Sequence, residues 1–539
     1  MPGTSLRAGL TMHPLGLNLG FMFGRGYLST QGHPVSEWIT LETLRMEIPD
    51  LTFPFDARGG ARRFQNTRCH VRNIRLVCAE AGMESFVRRC LAQAPGGGSF
   101  SDVRLRFLEG AAHLRLRVNT LGADTFVTFK ASAIPPEPIR DDTLHIIFHD
   151  IRAYGPLPYP ARLVLAEFLS QLLAAPTLHQ DAPGEPFALA QRGDLLELRP
   201  LKLALLHTFP KHGWKLPGLQ GIATTAIRIQ PGSASITAHS DGNHWERTTT
   251  ADPRADTAAS PLGAQALAAY EARDLFREAD AALFEGRLAA VLEQLRNMRH
   301  IYGRHPVLLE HLLDTLLTFP GPGHLAEAQS LIDELLRAQP DHLRALLAAP
   351  TLALLRGDPQ RAADAYLRLA DLLRERQETA DLVACLLAAA RVQRPYDPMA
   401  AVRLLREVVQ LSPRERTALD QLRELYETQD DVDALIDVLK RLAGLTTDRD
   451  RLLAINQQLA ELLMNRRNDL AEARLYLERT LRLEPDYMKA LFTLGESWVL
   501  DGQPLRAIKA FGAAARFAVE HNDPTTASQL QLDGRVPET

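Results

Sequence analysis

Helix-ending prolines recur through the second half of this 539-residue chain at Pro306, Pro340, Pro413 and Pro485. Their gaps of 34, 73 and 72 fit one unit and then two units each, a period of 34 to about 36 residues. A repeat of this length admits few folds, because each unit must stack on its neighbours to bury its apolar face. The interior of the unit repeats as well. Gly323, Ala328, Ile332 and Pro340 recur in register as Gly357, Ala362 and Tyr366, as Ala401, Leu405 and Pro413, and as Asn468, Ala473, Leu477 and Pro485. The small residue lets two helices approach closely, and the large one four positions on fills the gap beside it.

The last unit, LFTLGESWVLDGQPLRAIKAFGAAARFA, carries the pattern most fully through Leu494, Gly495, Trp498, Ala507, Phe511 and Ala514. These positions resemble the tetratricopeptide repeat (TPR), a helix-turn-helix unit, and about seven units fit between residues 264 and 520. The resemblance implies an all-α TPR solenoid over 263–522, a tail over 523–539, and a protein partner on the concave face. Pro350 stands where the family has its first-helix glycine, so that helix is expected to be short or kinked. The lysine and asparagine clamp that some members use on acidic peptide C-termini is absent here. Leu313, Leu317, Leu347, Leu386, Phe492 and Glu496 stand at the equivalent positions, and read either as residues buried between helices or as an apolar groove for a hydrophobic segment.

The first half has a different period. In SDVRLRFLEG, HLRLRVN and DTFVTFKA, apolar residues alternate with polar ones, as a half-buried antiparallel meander requires. Further strands are expected in GDLLELRPLKLALL and around the Pro231-Gly232 turn. Helices are expected at Glu84–Ala94 and at Ala161–Leu173, the second apolar nearly all round and so in need of cover on most sides. The polar stretch 243–262 reads as a linker and residues 1–35 as an N-terminal segment.

The order of these elements, with YGPLPYPARLVLAEFLSQLL and KLPGLQGIATTAIRIQPGSASIT, resembles the LmeA-type phospholipid-binding family of the tubular lipid-binding (TULIP) superfamily. It implies an α+β domain over 36–242 in which one curved antiparallel sheet wraps an apolar helix and holds a phospholipid or fatty acid. Leu165, Phe168, Leu169 and Leu172 are then the candidate lining. Arg62, Arg63 and Arg68, within an arginine-rich run, read either as an anionic-lipid patch for peripheral membrane contact or as a solvated strand face.

Other chemistry finds little footing. His145 and His149 would share a metal only on a helix, and LHIIFHDI reads as a strand that holds them about 13 Å apart. There is no nucleophile elbow, phosphate-binding loop or dinucleotide fingerprint. The net charge of −4 gives no ground for a nucleic-acid partner. Four cysteines do not form a disulfide framework, and no signal or spanning segment is read, so a cytoplasmic protein is expected. The expectation is a non-enzymatic adaptor without metal or cofactor, one domain binding an apolar ligand and the other a protein. The alternative is a pure scaffold.

Overall fold

The computed structural model describes residues 15–22, 25–52, 63–94, 99–118, 125–136, 142–155, 161–174, 189–192, 195–240, 253–303 and 306–520. It divides into two compact units, Met1–Leu372 and Leu373–Thr539.

The first unit opens with β1 (Asn18–Met22), β2 (Arg25–Pro34), β3 (Ile39–Thr52) and β4 (His70–Ala79). Helix α1 (Glu80–Gln93) leads to β5 (Phe100–Leu108), β6 (Ala111–Val118), β7 (Thr125–Ile134) and β8 (Leu144–Tyr154). Then come α2 (Ala161–Ala174), β9 (Leu189–Arg192), β10 (Leu195–Leu198), α3 (Pro200–Thr208), β11 (Ile222–Gln230) and β12 (Ser233–Ser240). Two six-stranded antiparallel sheets result, in the orders β1-β2-β3-β4-β12-β11 and β5-β6-β7-β8-β10-β9. Each is a four-strand meander closed by a hairpin whose second strand joins the meander's last. The single wrapped sheet expected from the sequence is therefore two sheets.

Each sheet also has its own helix. Against the second lie Leu165, Phe168 and Leu169 of α2, packed with Leu105, Leu116, Val127 and Phe129. Against the first lie Leu201, Leu205 and Phe209, packed with Leu28, Leu44, Met46 and Ile74. This corrects the strand expected through PLKLALL. Pro200 suits a first helical turn, and Leu201, Ala204, Leu205 and Thr208 are buried at helical spacing.

The other boundaries shift. Strands β1 and β2 fall inside the expected segment 1–35, and their register with β3 makes them part of the first sheet. The expected linker is structured from Pro253 on. Helix α4 (Pro253–Ala258) buries Pro253 and Thr257, and the Ser260 hydroxyl caps the next helix by accepting from Gly263 N at 3.0 Å. A Cβ on Gly110, in the β5–β6 turn with φ 89°, would lie 1.9 Å from that hydroxyl, so only glycine fits. Residues 243–252 and 523–539 lie outside the described residues, as does Arg62.

Helical hairpins follow, consistent with a TPR array. The first unit holds α5 (Pro261–Phe284) with α6 (Leu288–Tyr302), α7 (Pro306–Thr318) with α8 (Pro322–Ala338), and α9 (Leu343–Leu355) with α10 (Pro359–Glu375). The unit boundary falls within α10. The second unit holds α11 (Thr379–Gln393) with α12 (Pro398–Leu411), α13 (Arg416–Gln429) with α14 (Val432–Leu445), α15 (Arg449–Asn465) with α16 (Leu470–Leu483), and α17 (Met488–Leu500) with α18 (Pro504–Glu520). Helix α9 runs unbroken through Pro350 and, at 13 residues, equals α7 and α17 in length, so the shortening expected there is not seen. The repeated pairs Ala328/Ile332, Ala362/Tyr366, Ala401/Leu405, Ala473/Leu477 and Ala507/Phe511 are all buried. Aspartates cap the second helices: Asp397, Asp431 and Asp469 accept from Ala400 N, Ala434 N and Glu472 N at 2.9, 3.2 and 3.0 Å.

Candidate functional site

A kink in β8 sets the chemistry of the first unit. Arg152 pairs with Thr128 and His149 with Lys130, so Asp150 and Ile151 together face one residue of β7. Asp150 takes the left-handed conformation that this bulge demands, φ 50°, which aspartate tolerates better than most residues. Its carboxylate receives Lys130 Nζ and two nitrogens of Arg152, at 2.7 and 2.6 Å. Burial alone would raise the Asp150 carboxyl, but Arg152 and Lys130 outweigh it and hold it well below the usual carboxylate range. Strand β5 repeats the device: Asp102, φ 47°, lies at a register shift and pairs with Arg115 at 2.9 Å and Arg104 at 3.3 Å.

Beside the bulge, His149 is buried and hydrogen-bonded. The Ser132 hydroxyl donates to Gly110 O at 2.9 Å, so it accepts from His149 Nε2 at 3.0 Å. Burial lowers its pKa to about 4, with Asp150 pulling upward and Lys130 downward.

Helices α5 and α9 meet this strand, and α7 joins them through Arg344. Tyr270 of α5 bonds His145 Nδ1 through its hydroxyl at 2.8 Å, and Ala266 packs on Ile134 and Ile147. Arg344 of α9 donates to the Ile151 carbonyl and to the Asp314 carboxylate on α7. Between them lies a cavity of about 310 Å³. Its lining combines apolar Phe148, Leu165, Leu169, Phe276 and Leu347 with polar and charged His149, Asp150, Glu310, Asp314 and Arg344. The Phe276 and His311 rings stack with centroids 4.1 Å apart.

The sequence-predicted residues separate here. Leu165, Leu169 and Leu347 come together on the cavity. Phe168 does not: it is buried edge-on against Phe100 and Phe129, with centroids 6.0 and 5.3 Å away, and Leu172 packs at the margin of that core. The groove reading of Leu313, Leu317 and Leu386 is corrected, because all three are buried in helix packing. Helix α11 is buried on every face from Asp381 to Ala390, which leaves Leu386 no surface to present. Phe492 is half-buried against Phe511, and Glu496 is exposed. Arg63 and Arg68 are exposed, but the neighbouring Arg72 and Arg75 bind Glu47 and Glu42 at 2.6 and 2.8 Å. His145 and His149 bond different partners on a strand, and no group of three metal-capable side chains converges among the described residues. No described helix is long and apolar enough to cross a membrane.

Sequence reasoning did not single out Tyr270, Glu310, Asp314 or Arg344. A signal was there: Glu310 and Asp314 stand four apart in the leucine-rich VLLEHLLDTLL, one helical face carrying two carboxylates where leucine would serve stacking.

No family model matches the chain, and no curated protein does. Solved structures with partial likeness include two described as tetratricopeptide proteins. MamA shares 21% identity over 32% of this chain and 96% of its own, with a TM-score of 0.23. A tetratricopeptide repeat protein from Parabacteroides merdae shares 16% over 47% of this chain and 96% of its own, TM-score 0.27. YrrB, described as a TPR protein with an unusual peptide-binding site, shares 14% over 37% of this chain and 98% of its own, TM-score 0.25.

Proposed function

We propose that the chain is a non-enzymatic scaffold in which three helical hairpins carry the β-sheet region and the four hairpins of the second unit take a protein partner. The observation that carries this reading is the Arg344 guanidinium, bonded at once to Asp314 of the array and to the Ile151 carbonyl of β8. A side chain that joins helix to strand in this way gives the first hairpins an occupant within their own chain.

The surface that supports a partner on the second unit is polar. Asp420 accepts from Arg451 at 2.5 Å, Glu427 from Gln458 at 2.7 Å and Glu461 pairs with Lys489 at 3.0 Å, a ladder running along α13, α15 and α17. Exposed pairs of this kind contribute little stability, about 0–1 kcal/mol each, and can be exchanged for a partner's charges. The acyl-chain reading finds less support, since Phe168 packs edge-on against two aromatic rings and the nearby cavity has five charged residues in its lining.

The test is quantitative affinity capture from the native host, comparing the full chain with a variant carrying Asp420→Lys, Glu427→Lys and Glu461→Lys. At least one protein should be held by the wild type and lost from the folded variant. Identical captured sets from both would sink the assignment of the ladder as the partner surface.

A further inference from the structure

The cavity between β8, α2 and the first helices of the three hairpins shares Ile151, Asp314 and Arg344 with the tie that carries the scaffold reading, and the rest of its lining has no role in that reading. We infer that it is a binding site for a small organic cation, an ammonium group carrying an apolar body of about benzyl size. The inference goes beyond scaffolding and does not depend on it.

Size and shape come first. A volume of about 310 Å³ is at the lower end of small-molecule sites. Leu165, Leu169, Phe148, Phe276 and Leu347 give the ligand's apolar part a wall to which water contributes little. The stacked Phe276 and His311 rings add a flat face against which an aromatic or alkyl group can lie.

Charge then selects the head group. Three carboxylates line the cavity: Asp150, Glu310 and Asp314. Asp150 is compensated by Lys130 and Arg152, and Asp314 by Arg344. Glu310 has the weakest compensation. Its charged-pair partner is His342, whose Nε2 lies 3.3 Å from Oε1. His342 Nδ1 accepts from Ala345 N at 3.4 Å, which leaves Nε2 as the protonated nitrogen of a neutral ring. Burial raises the Glu310 carboxyl; Arg344 opposes this, while Asp314 and Asp150 reinforce it. A carboxylate so placed gains from an ammonium donor.

An anionic ligand meets the opposite situation. The two cations on the lining are already engaged: Arg344 with Asp314 and the Ile151 carbonyl, and Arg273 over the Tyr270 ring at 3.8 Å. A carboxylate would face three others with no guanidinium turned toward it alone. A divalent metal ion is disfavoured too, since the described residues offer no three converging ligands.

The probes are benzylamine and, as an anion of similar bulk, hexanoate, titrated calorimetrically into the full chain alongside thermal melts. Benzylamine should bind saturably and raise Tm, and hexanoate should do neither. Glu310→Gln should weaken benzylamine binding by about tenfold or more, the loss of one charge-assisted contact. Val307→Trp, at an exposed residue of the cavity lining, should obstruct the space without touching the core, and so abolish binding even if the glutamine variant folds poorly. Binding of hexanoate in preference, unchanged benzylamine affinity in Glu310→Gln, or no heat from either probe with the wild type would each overturn the inference.

Discussion

A glycine can be required or merely tolerated, and the last hairpin contains one of each. A Cβ on Gly495 would lie 2.4 Å from the Phe511 ring, which is 2% exposed and backed by Phe492. Gly512, in the same hairpin, has nothing within 4 Å of where its Cβ would be. Glycine to alanine within a helix ordinarily stabilises by up to about 1 kcal/mol. Gly512→Ala should do so, whereas Gly495→Ala should overpack the contact and cost about 1–3 kcal/mol against that gain. Urea melts of the two variants decide it; equal signs would mean that the helices are not in this register. His149 supplies a second test at this scale. Its folded pKa, about 4, lies below the ordinary 6.5, so the stability it confers is complete above pH 6.5 and is lost as pH falls toward 4. Two and a half units correspond to about 3 kcal/mol at most. Glu310, raised by burial, acts in the opposite sense, losing stability as pH rises. The comparison is therefore wild type against His149→Gln, whose amide can still donate to Ser132. Between pH 7 and 4.5 the wild type should lose more stability than the variant, and parallel losses would refute the buried neutral ring.

Among elements, legibility followed the strength of the local pattern. The meander of β5 to β7 was readable because arginines alternate with apolar residues in β5 and β6 and threonine and lysine do so in β7, and α2 because Pro160 precedes a run interrupted only by Arg162, Glu167, Ser170 and Gln171. Helix α3 was not, since LLELRPLKLALL is apolar at both strand and helix spacing. What decides it is the first sheet, whose inner face needs Leu201, Leu205 and Phe209 as cover. Bulges at Asp102 and Asp150 were equally hidden, because a bulge is a mismatch between two strands and leaves no mark on one. The repeat was legible down to the residue. Ala507 is 2% exposed at the tight contact that its small side chain allows, so Ala507→Leu should cost on the order of 1–3 kcal/mol. Circular dichroism melting of the full chain would show it as a lower Tm, and an unchanged melt would displace Ala507 from that contact.

For the molecule as a whole, the sequence reads as a β-rich half and a repeat half, whereas the first hairpins of the repeat belong to the same compact unit as the sheets. Docking of sheet on helices depends on residues far apart in the chain: Arg344 and Ile151, Tyr270 and His145. No periodicity reports such pairs. Consequently the array divides between a unit that includes the sheets and one built of hairpins alone. Arg344→Met tests whether the guanidinium holds strand to helix. It keeps much of the side chain's length and apolar stem but removes the donors, leaving part-buried Asp314 and the Ile151 carbonyl without this partner, at a cost of about 1 kcal/mol in all. The loss is local to the first unit. Hydrogen exchange should therefore quicken in β8 and in the facing turns of α7 and α9, while α13 to α16 in the second unit keep their wild-type protection. Unchanged exchange across 144–154 would show that the sheet region is held by apolar contact alone, with Ala266, Ile134 and Ile147 sufficient. Faster exchange throughout both units would instead mean that the substitution lowers global stability, and the guanidinium would lose its assignment as a local tie.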